Sequence, residues 1–132
     1  YQWNEVMNYL PIIQGIAPSG WHIPSDNDWK TLELFIGLSQ QEVDTIDWRG
    51  NQADQLKPGG STGFNAQYEG YRTLGGLFAD ADYGGSCYGY YWTSSTYGGF
   101  EAYYRIINYA GTAIYRNYAG QDHGMAVRLV KD

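Results

Sequence analysis

Residues Tyr83–Gly124 read YGGSCYGYYWTSSTYGGFEAYYRIINYAGTAIYRNYAGQDHG, and this stretch carries most of the information about the fold. Nine of the 14 tyrosines lie between Tyr88 and Tyr118, and only four charged residues occur in the stretch. Tyrosine favours β-strands, and it also offers a large, rigid contact area with a hydroxyl group, as in antibody loops. The stretch therefore predicts a tyrosine-rich antiparallel sheet whose rings fill a core, form a binding surface, or do both.

Turn signals divide the C-terminal half into strands. The predicted strands are Tyr90–Ser95, Ala102–Tyr109, Thr112–Tyr118 and Met125–Val130. Successive side chains of a strand point to opposite faces, so about half of the strand tyrosines must face inward. Of the neighbours Tyr103 and Tyr104, only one can be a binding residue.

Helix signals are confined to the first 57 residues. Trp3–Leu10 predicts a short helix that ends at Pro11. The patterns Ser25–Asp28 and Ser39–Glu42 are typical of capping boxes at helix starts, and Gly37 is expected to end the helix between them. Helices followed by antiparallel strands define an α+β class, and 132 residues predict a single domain over residues 1–132.

The charge distribution argues against a nucleic-acid partner. The formal net charge is -6, and the three lysines, Lys30, Lys57 and Lys131, are scattered along the chain. No apolar run approaches the ~20 residues of a membrane span, and no signal peptide precedes Tyr1. We therefore expect no direct membrane insertion, and a mature or excised domain that is a monomer in isolation.

The residues that could carry chemistry do not form a recognisable catalytic or metal-binding set. His22 and His123 lack convincing ligand spacing, and Asp80-Ala81-Asp82 favours a solvated acidic turn over a calcium site. Cys87 and Ser94-Ser95 are nucleophiles without a visible base. We expect a protein that is not an enzyme, with no catalytic residues, metal or cofactor.

The candidate ligand-binding residues are aromatic and polar side chains between positions 97 and 123. The anchors and polar contacts are Tyr97, Phe100, Tyr103, Arg105, Asn108, Tyr109, Tyr115, Arg116, Asn117, Tyr118 and His123. A separate set of large apolar residues is expected to hold the scaffold. These are Trp3, Trp21, Trp29, Leu32, Ile36, Phe64, Trp92, Val127 and Leu129.

Several motifs together resemble the major paralogous domain of Fibrobacter succinogenes, which is found in surface proteins of Bacteroidetes and their relatives. The motifs are Tyr1–Glu5, Pro18–Asp26, Trp29–Glu33, Gly63–Ala66, Gly70–Arg72, Tyr91–Ser95 and Gly124–Asp132. The resemblance covers essentially the whole chain. It implies a C-type lectin-like fold of the formylglycine-generating-enzyme subclass, with N-terminal helices, a mixed, mainly antiparallel sheet, and termini that lie together.

The departures from that family's pattern are informative. The family usually has a cysteine pair where this chain has Ala17 and Leu129, so the disulfide that the resemblance implies is lost. Formylglycine-generating enzymes need two active-site cysteines, and Cys87 is the only cysteine here. The calcium-dependent sugar-binding motifs of C-type lectins do not occur either.

The fold also resembles the variable proteins of diversity-generating retroelements, in which adenine-directed mutagenesis rewrites codons near the C-terminus. Mutated Asn codons never encode Lys, Glu, Gln, Trp or Met. The positions whose residues such mutagenesis can reach are Tyr97, Gly98, Phe100, Ile106, Asn108, Ala110, Tyr115, Asn117, Tyr118, Gly120 and His123. Ordinary descent of a Tyr- and Asn-rich sheet is the alternative explanation.

These inferences predict a ligand-binding domain for receptor binding or adhesion, displayed on a cell or virion surface. Its partner is expected to be a protein or glycan on another surface. If a retroelement diversifies the binding residues, the partner is expected to be a target that itself changes. The alternative is a carbohydrate-binding adhesin domain with a fixed ligand.

Overall fold

The computed structural model describes residues 1–7, 15–80 and 87–132. Its helices are α1 (Trp3–Met7), α2 (Asp26–Phe35) and α3 (Gln40–Asp44), followed by a 3-10 turn at Ala53–Leu56. All four lie within the first 57 residues, as the sequence predicts. The predicted extension of α1 to Leu10 and its end at Pro11 lie outside the described residues.

Both predicted capping boxes are present. The Ser25 hydroxyl accepts from the Asp28 backbone N–H, and the Asp28 carboxylate accepts from the Ser25 backbone N–H at 2.7 Å. Ser39 and Glu42 form the same reciprocal pair at the start of α3. Gly37 follows the end of α2 with a φ of +109°, a conformation that a residue with a Cβ atom rarely adopts.

The strands form one four-stranded sheet and two short two-stranded ribbons. The strands are β1 (Trp21–His22), β2 (Asp47–Arg49), β3 (Tyr71–Arg72), β4 (Phe78–Ala79), β5 (Tyr88–Tyr97), β6 (Glu101–Asn108), β7 (Ile114–Gly120) and β8 (Val130–Lys131). The large sheet has the order β2-β7-β6-β5 with antiparallel neighbours, and the ribbons are β1-β8 and β3-β4. The α+β class is therefore confirmed.

The C-terminal strand differs from its prediction. Strand pairing begins only at Val130, where β8 pairs with β1, whereas a strand was predicted from Met125. Ala126 forms an isolated parallel bridge with Tyr91 instead. The β1-β8 pairing brings the segment after Ala17 beside the C-terminal segment, as the resemblance implies.

The pairing register assigns side chains of the four-stranded sheet to two faces. The inner face, which packs on α2, carries Tyr91, Arg105, Ile107, Ile114 and Arg116. The outer face carries Tyr90, Tyr104, Ile106, Tyr115 and Asn117. Because alternation is strict over these segments, each residue on the outer face is flanked in sequence by residues on the inner face.

The core lies mainly between the inner face and the helices. Trp29, Ile36, Tyr91, Ile107 and Ile114 belong to this buried cluster. A smaller cluster covers one end of the outer face. There Trp92 and Ala102 are fully buried against Met125 and partly buried Trp3.

The scaffold prediction is confirmed for Trp29, Ile36 and Trp92, which are at most 5% exposed. It is wrong for Trp21, which is 39% exposed. Trp21 lies in β1, a two-residue strand of the terminal ribbon rather than of the central sheet. Its side chain therefore lies at the edge of the fold.

Candidate ligand-binding face

A buried cluster of charges fastens the inner face of the sheet to α2. Asp26 and Glu33 come from α2, and Arg49, Arg105 and Arg116 come from the neighbouring strands β2, β6 and β7; these five residues are the ion cluster. Arg105 donates to Glu33 at 2.6 Å and to Asp26 at 2.8 Å. Arg116 makes two contacts with the Asp26 carboxylate, and Arg49 makes two with the Glu33 carboxylate.

The pairing keeps the Asp26 carboxylate ionised. Burial alone would raise the pKa of Asp26, but hydrogen bonds and positive charge from Arg116 and Arg105 outweigh burial and lower this pKa to about 2. A buried charge without such partners would be strongly destabilising. The cluster therefore has a structural role in joining three strands to one helix.

The ion cluster corrects two of the candidate ligand contacts. Arg105 is 0% exposed and Arg116 is 5% exposed, so neither guanidinium group reaches a surface ligand. Both were chosen because they lie among tyrosines in the sequence. Because side chains alternate along a strand, Arg105 points to the face opposite to its neighbour Tyr104, and Arg116 points to the face opposite to its neighbour Tyr115.

The outer face carries a continuous line of aromatic rings across the strands. The outer row consists of Trp48, Tyr115, Tyr104, Tyr90 and Tyr71, from β2, β7, β6, β5 and β3. The centroids of successive rings are 5.0, 6.0, 6.1 and 4.7 Å apart. These separations lie in the range of favourable aromatic contacts, so each ring helps to position the next.

The outer row is partly open to solvent, and Tyr71, Tyr90 and Tyr104 also pack against the buried cluster of Trp92, Ala102 and Met125. Trp48 is 43% exposed, and the four tyrosines are half-buried. Ile106 is 6% exposed and pairs directly with both Tyr90 and Tyr115. The row therefore offers ring surface to a ligand while its base stays packed.

Polar groups lie beside the rings of the outer row. The Tyr90 hydroxyl donates to Asp80 at 2.6 Å, and the Asn117 amide donates to the Tyr115 hydroxyl at 2.8 Å. Burial raises the pKa of both Tyr90 and Tyr104 well above the usual range, so these hydroxyls stay protonated at every physiological pH. The row thus combines apolar ring surface with neutral hydroxyl and amide groups.

A second group of tyrosines lies in the inner-face register, beyond the ion cluster. Tyr97 and Tyr118 stack with their centroids 3.7 Å apart, and Tyr103 meets both rings edge-on. The Arg116 guanidinium carbon lies 4.6 Å from the centre of the Tyr103 ring. The adjacent turn carries Phe100, which is 88% exposed.

The candidate ligand residues therefore do not form one continuous site. Tyr115 and Asn117 belong to the outer face, and Asn108 follows them in register there. His123 lies at the far end of the row, with its ring 6.0 Å from that of Tyr71. Tyr109 is 60% exposed and packs edge-on against Tyr68.

Four aromatic residues of the outer row were not among the candidates, namely Trp48, Tyr71, Tyr90 and Tyr104. Tyr104 was recognisable as the alternative to Tyr103, and the pairing of β6 with β7 decides between them. Trp48 and Tyr71 lie far away in sequence and reach the row only through β2 and β3. No local pattern marks them.

The row leads into a cleft with a volume of about 750 Å³. Tyr71 belongs to both, and Glu69, Arg72 and Phe78 line the cleft beside it. The opposite wall is formed by the backbone segment around Met125. None of the candidate ligand residues lines this cleft.

Two further findings bear on the chemistry. Within residues 1–7, 15–80 and 87–132, no three His, Cys, Asp or Glu side chains come together as a metal site would require. The Asp80 carboxylate accepts from the Tyr90 hydroxyl, and Asp82, the other carboxylate of the predicted acidic turn, lies outside the described residues. Among the helices that the structure describes, none has the length and apolar character needed to cross a membrane.

The fold and this face define an α+β domain with helices and an ion cluster behind a four-stranded sheet and an aromatic row in front of it. The family model of the Fibrobacter succinogenes major domain matches residues 1–131, and the chain belongs to this family. The motif resemblance is thereby confirmed at the level of the family. The comparison with curated proteins and the comparison with solved structures each found no match.

Proposed function

We propose that the protein is a non-enzymatic ligand-binding domain that uses the outer face of its sheet for receptor binding or adhesion. The observation that carries the proposal is the outer row, from Trp48 to Tyr71, which is half-exposed on a rigid sheet. Rigid aromatic side chains give contact area at a low entropic cost. Their positions are set from behind by the ion cluster, so the face need not order itself when a ligand binds.

We propose further that the fold is C-type lectin-like and that the outer face is diversified by a retroelement. Four of the mutagenesis-reachable positions, Ile106, Asn108, Tyr115 and Asn117, share the outer face. The interleaved residues are Arg105, Ile107, Ile114 and Arg116, which are all buried. Asn108, Tyr115 and Asn117 can change without disturbing the core, whereas a replacement of Ile106, which is 6% exposed, must preserve its packing.

Display on a cell or virion surface follows from this proposal, since a diversified binding face is useful only where it meets targets of another cell. The partner is then a protein or glycan on that target surface. The face that meets the partner consists of the row and the polar side chains Asn108 and Asn117.

Sequencing of this locus across natural isolates tests the proposal without knowledge of the ligand. We expect substitutions at positions 106, 108, 115 and 117, and constancy at the interleaved positions 105, 107, 114 and 116. This alternation tests the assignment of the two faces, because all these positions lie in β6 or β7. The retroelement proposal further requires that the substituted residues exclude Lys, Glu, Gln, Trp and Met. Equal variation at outward and inward positions would contradict the assignment of the face, and uniform low variation would remove the retroelement reading.

A further inference from the structure

Two charged side chains line the cleft beside the outer row without a charged or hydrogen-bonding partner among the described residues. Glu69 and Arg72 flank Tyr71 closely in sequence, and both side chains are exposed. Neither side chain forms a hydrogen bond or an ion pair with another of the described residues. The charged groups used by the fold, such as those of the ion cluster, are all paired.

Arg72 is nevertheless held in place. Its backbone N–H donates to the Gly124 carbonyl at 2.7 Å, and its carbonyl accepts from the Gly124 N–H at 2.9 Å. A Cβ atom added at Gly76 would lie 3.1 Å from an Arg72 Nη atom, so the guanidinium group lies over the β3-β4 turn. Backbone pairing and packing thus present Arg72 beside the cleft.

Aromatic surface surrounds these two charged groups. Phe78 pairs with Arg72 across the β3-β4 ribbon and is 73% exposed. The Tyr71 ring continues the outer row into the cleft, with its centroid 4.7 Å from that of Tyr90. The row and the cleft therefore form one track, with aromatic rings along its length and a carboxylate and a guanidinium group at one end.

We propose that this track binds an extended neutral polysaccharide, an inference that rests on the proposed function of the outer face. Sugar rings pack their C–H faces on the row, and Glu69 and Arg72 hydrogen-bond the hydroxyl groups of one sugar in the cleft. Hydroxyl groups suit this pair because they both donate to a carboxylate and accept from a guanidinium group.

The arrangement favours a repeating ligand over a folded protein. A row of five rings at separations of 4.7–6.1 Å offers similar contacts at similar intervals, which matches a chain of similar units. Neutral hydroxyl and amide groups lie between the rings, as a hydroxyl-rich ligand requires.

Charge excludes the polyanionic glycans from the track. Glu5 and Glu69 line the cleft and the Asp80 carboxylate accepts from the Tyr90 hydroxyl of the row, whereas Arg72 is the only arginine or lysine among the described residues that line the cleft. The whole chain has a net charge of -6. A uronic-acid or sulfated chain would therefore be repelled.

Calorimetric titration of the purified protein tests the inference, with neutral xylan, glucan and mannan oligosaccharides of increasing length and with polygalacturonate as the charged comparison. We expect the affinity for at least one neutral series to rise with chain length over several sugar units. Trp48→Ala and Glu69→Gln should each weaken binding by roughly tenfold, since each removes one stacking or charged hydrogen-bonding contact. Phe35→Ala, which changes an 81% exposed aromatic residue on α2, should leave binding unchanged.

Three results would overturn the inference: no binding of any neutral series, tighter binding of polygalacturonate, or neutral binding that Glu69→Gln leaves intact. Melting temperatures of all variants establish that they are folded. The proposed function fails separately, when natural variation does not alternate between outward and inward positions. Alternating variation without binding of these glycans would overturn the polysaccharide inference and leave the outer face as the ligand site.

Discussion

Removing the Glu33 carboxylate should destabilise the protein far more than removing the Arg105 guanidinium group, although the two groups contact each other. The reason is the composition of the ion cluster, which holds three arginines and two carboxylates. Glu33→Gln leaves three guanidinium groups facing one carboxylate. Arg105→Met leaves two arginines and two carboxylates. Glu33 keeps its two contacts with Arg49, and Asp26 keeps its two contacts with Arg116.

The magnitudes follow from burial. Glu33, Arg49 and Arg105 are at most 4% exposed, so water cannot compensate the unpaired charge in Glu33→Gln. Breaking a buried pair from one side costs about 3–5 kcal/mol because it leaves an uncompensated buried charge, and Arg105→Met should cost less because both carboxylates keep an arginine partner. A domain of this size has a free energy of unfolding of about 5–15 kcal/mol, so only the first change threatens the fold.

Urea unfolding, followed by tryptophan fluorescence, measures both values. The double variant with Glu33→Gln and Arg105→Met should lose less than the sum of the two single losses, because removing Arg105 relieves the excess positive charge. Arg105→Met should also leave ligand binding unchanged, since Arg105 does not reach the surface. A loss for Arg105→Met equal to or greater than that for Glu33→Gln would refute the account of the cluster.

Three other predictions concern pH and packing. The folded-state pKa of Asp26 is about 2 against an ordinary 3.8, so about 2 kcal/mol of stability should be present above about pH 5 and lost progressively as the pH falls from there through the folded-state pKa; acid unfolding of Asp26→Asn should lack this component. A hydrogen bond that His22 Nδ1 donates to the Asp132 carboxylate raises the pKa of His22 against the effect of burial, so this contribution to stability is present at low pH and lost as the pH rises through the folded-state pKa; in an NMR titration, Asp132→Asn should lower that pKa, and an unchanged value would contradict the contact. Trp92→Ala should cost about 3–5 kcal/mol in urea unfolding because the ring is 0% exposed, whereas Tyr115→Ala should cost about 1 kcal/mol or less, and equal losses would place Tyr115 in the core.

Local signals in the sequence predicted the helices well. The capping boxes that begin at Ser25 and Ser39 each involve residues only three positions apart, and Gly37 ends α2 because glycine readily adopts a positive φ angle. Such features depend on neighbouring residues alone, so they can be read before the fold is known. The strands β5, β6 and β7 were also located, because turn residues separate them.

The candidate site was harder to predict because it depends on which face each strand buries. The sequence Tyr103-Tyr104-Arg105 alone does not show which of these side chains face α2. The strand register, which pairs Arg105 with Arg116, and the ion pairs of Arg105 with carboxylates of α2 show that Arg105 does. A charge of either sign in a tyrosine-rich strand looks like a binding contact. Only the acidic residues on α2, about 70 or more positions away, make it a structural residue.

The most direct test of the outer face as the ligand site is the binding of the fluorescently labelled protein to a panel of intact bacterial and host cell surfaces. Wild-type protein, Tyr115→Ala and the control Phe35→Ala would be titrated on each surface that binds. The account predicts that Tyr115→Ala weakens binding by about tenfold or more at an unchanged melting temperature, while Phe35→Ala has no effect. Binding that survives Tyr115→Ala but is lost in Phe35→Ala would contradict it and place the site on α2.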